Sequence, residues 1–562
     1  MEKKVFKKLN ILMVVLLMFA FSCKEQKNGE RKVIWQPYND SAEVATNADN
    51  ELERLRYKYI QSKVLNKNEV FLPLYDEVSK MTEVDYQNLK PLILEQNIPT
   101  LQSHLAKGKL TYEKLVLFYL YRIFKYELNN STTLNTVIAL NKDVVSQARE
   151  LDKLALNGTA LGHRHPIYGM PILLKDNINT QGIKTTAGAI ALIDNEVEDA
   201  FIVKRLKQNG ALILGKVNLS EWANYLCRCP NGQSAVGGQT LNPYGRRIFD
   251  TGGSSAGSGT SIAANYAVAA VGTETSGSIL SPSGQNSVVG LKPTIGLLSR
   301  SGIVPISSTL DTPGPMTRNV VDNAILLSAM MGYDVEDSKS QNKEVADVLE
   351  SGSRPKPLDQ MRLGAMKNLM ESDSIYANTV NNLRSLGVTV IEFTSPEISM
   401  EGFLNILNID MRNDLPKYLK RYADTKKVKI TSIADAVKFN AADSIVRIPY
   451  GQSLFEGILV DSTSAEELVA IKNKLEEKGR AFFDAALDKF QLDAVLSINN
   501  YHAGYAAVAK YPALTIPMGY EQTGEPINLT FIAKPFKEAV LLQVGSAFEQ
   551  ATKARKMPVN YQ

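Results

Sequence analysis

Apolar and polar positions alternate in blocks along this chain, and the blocks predict helices and strands in turn. Between Thr111 and Glu127 the run TYEKLVLFYLYRIFKYE is densely apolar and opens on a threonine suited to capping, which predicts a buried helix. A second helix is predicted over about 142–157, stopped by Gly158. The run from Met170 to Leu174 reads as a strand ending in Lys175-Asp176-Asn177, and DAFIVKRLKQNGALILGKVN follows as a helix, a turn at Gly210 and a strand. Further on, SIAANYAVAAVG reads as another helix. Strand alternating with helix predicts an α/β layered sheet rather than an all-β fold or a bundle.

Two segments depart from this texture. Residues 24–95 are polar, and within them ELERLRYKYI places Leu52, Leu55 and Tyr59 on one helical face, so residues 23–95 are read as an N-terminal extension. Around 335–360 the chain turns charged, which predicts a surface excursion within one domain. No internal repeat is visible.

The first residues, MEKKVFKKLNILMVVLLMFAFSCKEQ, carry four lysines and then an apolar run from Ile11 to Phe21. This is the pattern of an export signal over residues 1–22, too short to span a bilayer. Ala20-Phe21-Ser22-Cys23 resembles, imperfectly, the lipobox of bacterial lipoproteins, so Cys23 is expected to carry lipid; a plain cleaved signal with an incidental cysteine is the alternative. Two lipid signals on one residue would hold the protein at the membrane, placing it in the bacterial cell envelope, periplasmic or surface-exposed.

Composition changes the picture little. The 63 basic and 59 acidic residues leave a formal charge of +4, and 44% hydrophobic with 22% charged residues is ordinary globular usage. Charge so near balance offers no basic stripe for nucleic acid, and none is expected as a partner. Cys227 and Cys229, separated by one residue, are strained for a disulfide and too few for a metal, and are read as small buried or loop cysteines.

Residues 250–261, DTGGSSAGSGTS, hold six Ser/Thr and five glycine or alanine residues. A phosphate cradle would lack the Gly-Lys-Ser/Thr ending, and close packing of a following helix is a second reading. A third is catalytic, because AVGTETSGSILSPS repeats the theme and sets Ser278 in a turn of small residues whose N–H groups can converge on an oxyanion. A nucleophilic serine needs a base, and the four histidines, His104, His163, His165 and His502, offer no arrangement for one. Lys175 closes a nearly all-apolar strand, where desolvation would push its amine toward neutrality. A strand-end lysine reaching water or pairing with Asp176 is equally compatible with that spacing.

In order, GMPILLKDN, GGSSAGS, GTETSGSI and GLKPT resemble the amidase signature family, serine hydrolases with a Ser–cis-Ser–Lys triad. The resemblance runs from about residue 98 to the C-terminal YPALTIPMGY and INLTFIAKPFKEAVLLQVGSAFEQ, and it is closest in look to bacterial peptide amidases. It implies one large α/β domain over about 96–558, a twisted mixed β-sheet covered by helices on both faces, and no cofactor or metal. Carried over residue by residue, it implies Lys175 as base, Ser254 as bridging serine after a cis bond, and Ser278 as acyl-forming nucleophile. Thr275, Ser276 and Gly277 would join Ser278 in the oxyanion hole, with Ser255, Asp250 and Asp311 in support.

The pattern departs from many members at Ser276, where they carry glycine, and at Leu280, where they carry arginine; Ala256 also replaces a glycine. The implied activity is hydrolysis of a linear carboxamide, of a peptide amide or small amide, by a monomer or homodimer. A lipid-amide hydrolase, a glutamine amidotransferase-like subunit and an inactive binding lipoprotein are the alternatives.

Overall fold

The computed structural model describes residues 32–156, 164–342 and 347–562. The predicted export signal, Cys23, Gly158 and His163 lie outside the described residues. Two compact units divide the chain, Met1–Gln36 and Pro37–Gln562, and the sheet, its helices and the site all belong to the second.

The strands among the described residues are β1 (Val137–Leu140), β2 (Pro171–Lys175), β3 (Leu212–Val217), β4 (Gln233–Ser234), β5 (Gly238–Gln239), β6 (Ala269–Glu274), β7 (Val289–Lys292), β8 (Thr312–Thr317), β9 (Arg362–Met366), β10 (Thr389–Phe393), β11 (Ala494–Ile498), β12 (Ala513–Tyr520) and β13 (Pro526–Ile532). Eleven of them form one mixed sheet in the order β1-β3-β2-β6-β8-β7-β12-β13-β11-β9-β10, and β4 pairs with β5 in a small hairpin. The sheet is flanked by helices, as the resemblance implies. At its centre β2 runs parallel to both β3 and β6, whereas β8 runs antiparallel to β6. Every residue of β2, β3 and β6 is buried, which is why these strands read as continuous apolar runs rather than as alternations.

The helix predicted from Thr111 spans Tyr112–Glu127, and the Thr111 hydroxyl accepts the N–H of Lys114 at 3.1 Å. Its successor spans Val144–Leu156, and the helix before Gly210 spans Phe201–Gln208. Within the segment read as an extension, helices Lys67–Val78 and Glu83–Ile93 pack on Tyr112–Glu127, Phe71 edge-on to Phe124 and Tyr86 stacked on Phe118.

Two expectations are corrected. ELERLRYKYI forms only a single 3-10 turn, Glu53–Leu55; Leu55 and Tyr59 are buried, but Leu52 is 62% exposed. Its end is held from outside, since the Ile60 carbonyl accepts N–H groups of Gln239 and Asn135, so its backbone bonds serve neighbouring segments and not a helix of its own. SIAANYAVAAVG is divided: the helix begins earlier, inside the glycine-rich loop, spans Ala256–Ala263, and ends before Asn265 at φ 57°, after which the same apolar run becomes β6. An apolar run of small residues has no period that distinguishes a buried helix from a buried strand, and the open place between β2 and β8 decides.

Cys227 and Cys229 are a third correction. Both are buried, as read, but they are joined in a disulfide. The chain bends at Arg228 and brings their Cα atoms to 5.2 Å, inside the bridging range. They sit in a helical cluster with Trp222, Tyr225, Tyr418 and Phe455, built largely from helices Phe403–Arg421 and Ser453–Val460. No helix among the described residues is long and apolar enough to cross a membrane.

Candidate active site

Lys175 is the last residue of β2 and is wholly buried between β3 and β6. Its Nζ has three partners: Ser254 Oγ at 2.7 Å, Thr273 Oγ1 at 2.9 Å and the Thr273 carbonyl at 3.1 Å. Burial pushes the amine down to about 7, although the Asp311 and Glu274 carboxylates pull in the opposite direction. A neutral amine with a hydroxyl at 2.7 Å can take that hydroxyl's proton.

Ser254 follows a cis Gly253–Ser254 peptide bond and lies just ahead of the helix Ala256–Ala263. Neighbouring segments hold this loop. The Ser220 N–H donates to the Ser254 carbonyl at 3.0 Å, and the Ser255 N–H to the Ser278 carbonyl at 3.2 Å, which ties the two serine loops together. A side chain at Gly253 would meet Asn231 Oδ1 at 2.6 Å and Ser220 Oγ at 2.7 Å, so only glycine fits. Asp250 accepts from Asn231 Nδ2 and from the Gly252 N–H at 2.9 Å, and thereby pins the loop's start.

Ser278 sits in the turn between β6 and the helix Leu280–Gln285, and is 8% exposed. The turn is organised by a residue that sequence reasoning passed over. Glu274 ends β6, and its carboxylate accepts the N–H groups of Gly277 at 2.7 Å, Ile279 at 2.7 Å and Leu280 at 3.0 Å. Gly277, expected in the oxyanion hole, is therefore corrected: its N–H already serves Glu274. The N–H groups of Thr275, Ser276 and Ser278 have no hydrogen-bond acceptor among the described residues. These can stabilise an oxyanion formed at Ser278.

A family model described as Amidase matches residues 115–497. The chain belongs to the amidase signature family. An Arabidopsis thaliana protein named a probable amidase is 36% identical over 83% of this chain and 92% of its own length. An amidase family protein from Bacillus anthracis superposes with a TM-score of 0.82 at 34% identity, over 89% of this chain and 99% of the other. The peptide amidase of Stenotrophomonas maltophilia superposes with a TM-score of 0.76 at 35% identity, over 83% and 98%. This chain is accordingly an amidase signature enzyme, a hydrolase of amides.

Beside the serine loops of this amidase lies a cavity of about 220 Å³. Thr273 and Thr275 border it from the nucleophile's side, Ile303, Val304 and Ile306 from the loop before β8, and Tyr418 from the helix Phe403–Arg421. Ile303, Val304 and Ile306 make one side of it apolar, and polar side chains line the rest. Apart from Asp311, its charged lining residues are tied up in pairs, Arg300 with Asp337, Lys417 with Asp414 and Arg421 with Glu336. Asp337 belongs to the stretch read as a surface excursion, so that stretch contributes to the cavity.

Asp311 borders the same cavity, accepting from Thr275 Oγ1 at 2.6 Å and from the N–H groups of Ile306 and Ser307. Burial pushes its carboxyl up to about 6. Ser255 does not reach Lys175; its hydroxyl donates to the Thr273 carbonyl at 3.0 Å and accepts the Thr273 N–H at 3.2 Å. None of the described histidines of the amidase hydrogen-bonds to Ser254 or Ser278: His104 meets the Leu92 carbonyl, His165 meets Ser328, and His502 meets Ser497. Asp176, the residue after the base, turns instead to Lys216 on β3 and to Thr186.

Proposed function

We propose that this enzyme hydrolyses a peptide amide or a related small amide through an acyl-enzyme on Ser278. One observation carries the reading: a buried lysine, Lys175, whose amine meets Ser254 Oγ at 2.7 Å beside the turn that bears Ser278. The neutral Lys175 amine takes the Ser254 proton as Ser254 takes that of Ser278, and Ser278 Oγ bonds to the amide carbon. The carbonyl oxygen gathers negative charge, which the N–H groups of Thr275, Ser276 and Ser278 stabilise. As the C–N bond breaks, the proton returns from Lys175 through Ser254 to the nitrogen, which leaves as ammonia or an amine. Water then attacks the ester and loses its proton along the same path, freeing the acid and Ser278.

The substrate reading rests on the likeness to a peptide amidase and on the cavity. At about 220 Å³ it is about half as large again as an engineered cavity of about 150 Å³ that accepts benzene, a size suited to one amino-acid side chain. Its Ile303, Val304 and Ile306 side favours an apolar residue next to the amide. We further propose that residues 1–22 direct export and are removed, that Cys23 carries the lipid anchor, and that the stretch from there to the compact unit beginning at Pro37 tethers the enzyme to the bacterial envelope.

The test is ammonia release from C-terminally amidated peptides by protein lacking residues 1–23, with Ser278→Ala and Lys175→Ala as controls. Release by the wild type alone is expected. A wild type that labels at Ser278 with a fluorophosphonate yet releases no ammonia would remove the peptide amide as substrate and keep the serine hydrolase.

A further inference from the structure

The three contacts of the Lys175 amine come from only two residues, and Thr273 supplies two of them, through its hydroxyl and through its carbonyl. Thr273 is itself held. Asn177 Nδ2 donates to Thr273 Oγ1 at 2.9 Å, and the Ser255 hydroxyl bridges the Thr273 N–H and carbonyl. We propose that Thr273, held by Asn177, is the positioning residue that keeps the Lys175 amine aimed at Ser254 in both halves of the proton relay. The proposal rests on Lys175 being the base of the reading above.

A tetrahedral amine bonded to Cε has three remaining directions, and Ser254 Oγ, Thr273 Oγ1 and the Thr273 carbonyl are its three partners. When the amine carries its proton, all three N–H bonds find acceptors. When it is neutral, two N–H bonds can stay on Thr273 while the lone pair faces the Ser254 hydroxyl. A proton can therefore arrive and leave without rotating the amine. Among the described residues no other side chain does this: Asp176, next along the chain, is turned to Lys216, and the charged groups that act on the amine, Asp311 and Glu274, do so without a hydrogen bond to it.

Thr273→Val keeps the branched shape at a buried position and removes one acceptor. Because the charged amine loses more from this than the neutral one, the acid limb of the kcat profile should move to lower pH by about one unit. The plateau kcat should fall at least tenfold with KM changed less than threefold, and Thr273→Ser should restore both. Asn177→Ala should lower kcat in the wild type but add less than twofold in the Thr273→Val background, because Asn177 acts through Thr273. A Thr273→Val enzyme with an unmoved acid limb, or full additivity with Asn177→Ala, would overturn the proposal while Lys175→Ala stays inactive. Activity surviving in Lys175→Ala would instead overturn the underlying assignment of the base. The thermal midpoint and the far-ultraviolet circular dichroism show that each variant is folded.

Discussion

Glu274 brackets Ser278. Its carboxylate, at the end of β6, holds the N–H of Gly277 just before the serine and those of Ile279 and Leu280 just after it, while the serine's own N–H is left free. The carboxylate thus sets which N–H groups of the turn face an incoming carbonyl and which do not. It also satisfies donors at the start of the helix Leu280–Gln285 that have no partner within the helix.

Glu274→Gln tests this directly. An amide can offer one oxygen to these donors, but its NH2 group must then face an N–H, leaving buried donors unpaired. The expected result is a loss of kcat of about a hundredfold, comparable to the removal of one oxyanion donor, together with a lower thermal midpoint. A variant with wild-type kcat would show that the turn is held by its neighbours alone.

The rate should follow the state of Lys175. Burial lowers its amine to about 7, and the relay needs the neutral form, so kcat/KM is expected to fall as pH drops through about 7 and to level off above it. Lys175→Ala should lose the limb along with about a thousandfold or more of kcat, as should Ser278→Ala. A profile flat between pH 5 and 8 would rule out this amine as the base.

Asp311 modulates that limb. Its negative charge favours the protonated form of Lys175, so Asp311→Asn should shift the acid limb to lower pH. The amide oxygen can keep the N–H groups of Ile306 and Ser307, which share Asp311 Oδ2, while its NH2 turns to Thr275 Oγ1 and removes that hydroxyl's acceptor, so KM should rise only slightly. Steady-state kinetics across pH separates the two effects; a limb that moves upward would contradict the sign.

Gly253→Ala should be far more damaging than an exposed glycine substitution. The added carbon would lie 2.6 Å from Asn231 Oδ1 and 2.7 Å from Ser220 Oγ, so the loop that presents Ser254 must shift. Activity is expected to fall at least a hundredfold and the thermal midpoint to drop by several degrees; Gly457→Ala, where nothing lies within 4 Å and the backbone is helical, serves as the comparison for stability.

Ser278 could be singled out from the chain alone because its turn of small residues is a local signal, and Lys175 because it ends an apolar strand, although that spacing fits a solvated or paired lysine equally; Ser254, and the role of each of the three, came from the resemblance carried by four motifs in order. The desolvation of Lys175 was legible because its apolar neighbours are adjacent in sequence. Strand and helix periods likewise established the layered α/β class. Only the tertiary structure decided the rest, because burial and partner choice come from long-range packing. SIAANYAVAAVG carries no period, and the space between β2 and β8 made its last third a strand. Leu52 and Tyr59 share a helical face on paper, yet only Tyr59 is buried, because the Ile60 carbonyl bonds a distant strand instead of its own turn. Glu274 reads the same in a motif whether it pairs with a cation or with backbone, and Gly277 reads as a free donor until that carboxylate occupies it. The cavity joins residues near 175, 273, 304 and 418, which no local pattern connects and only folding brings together.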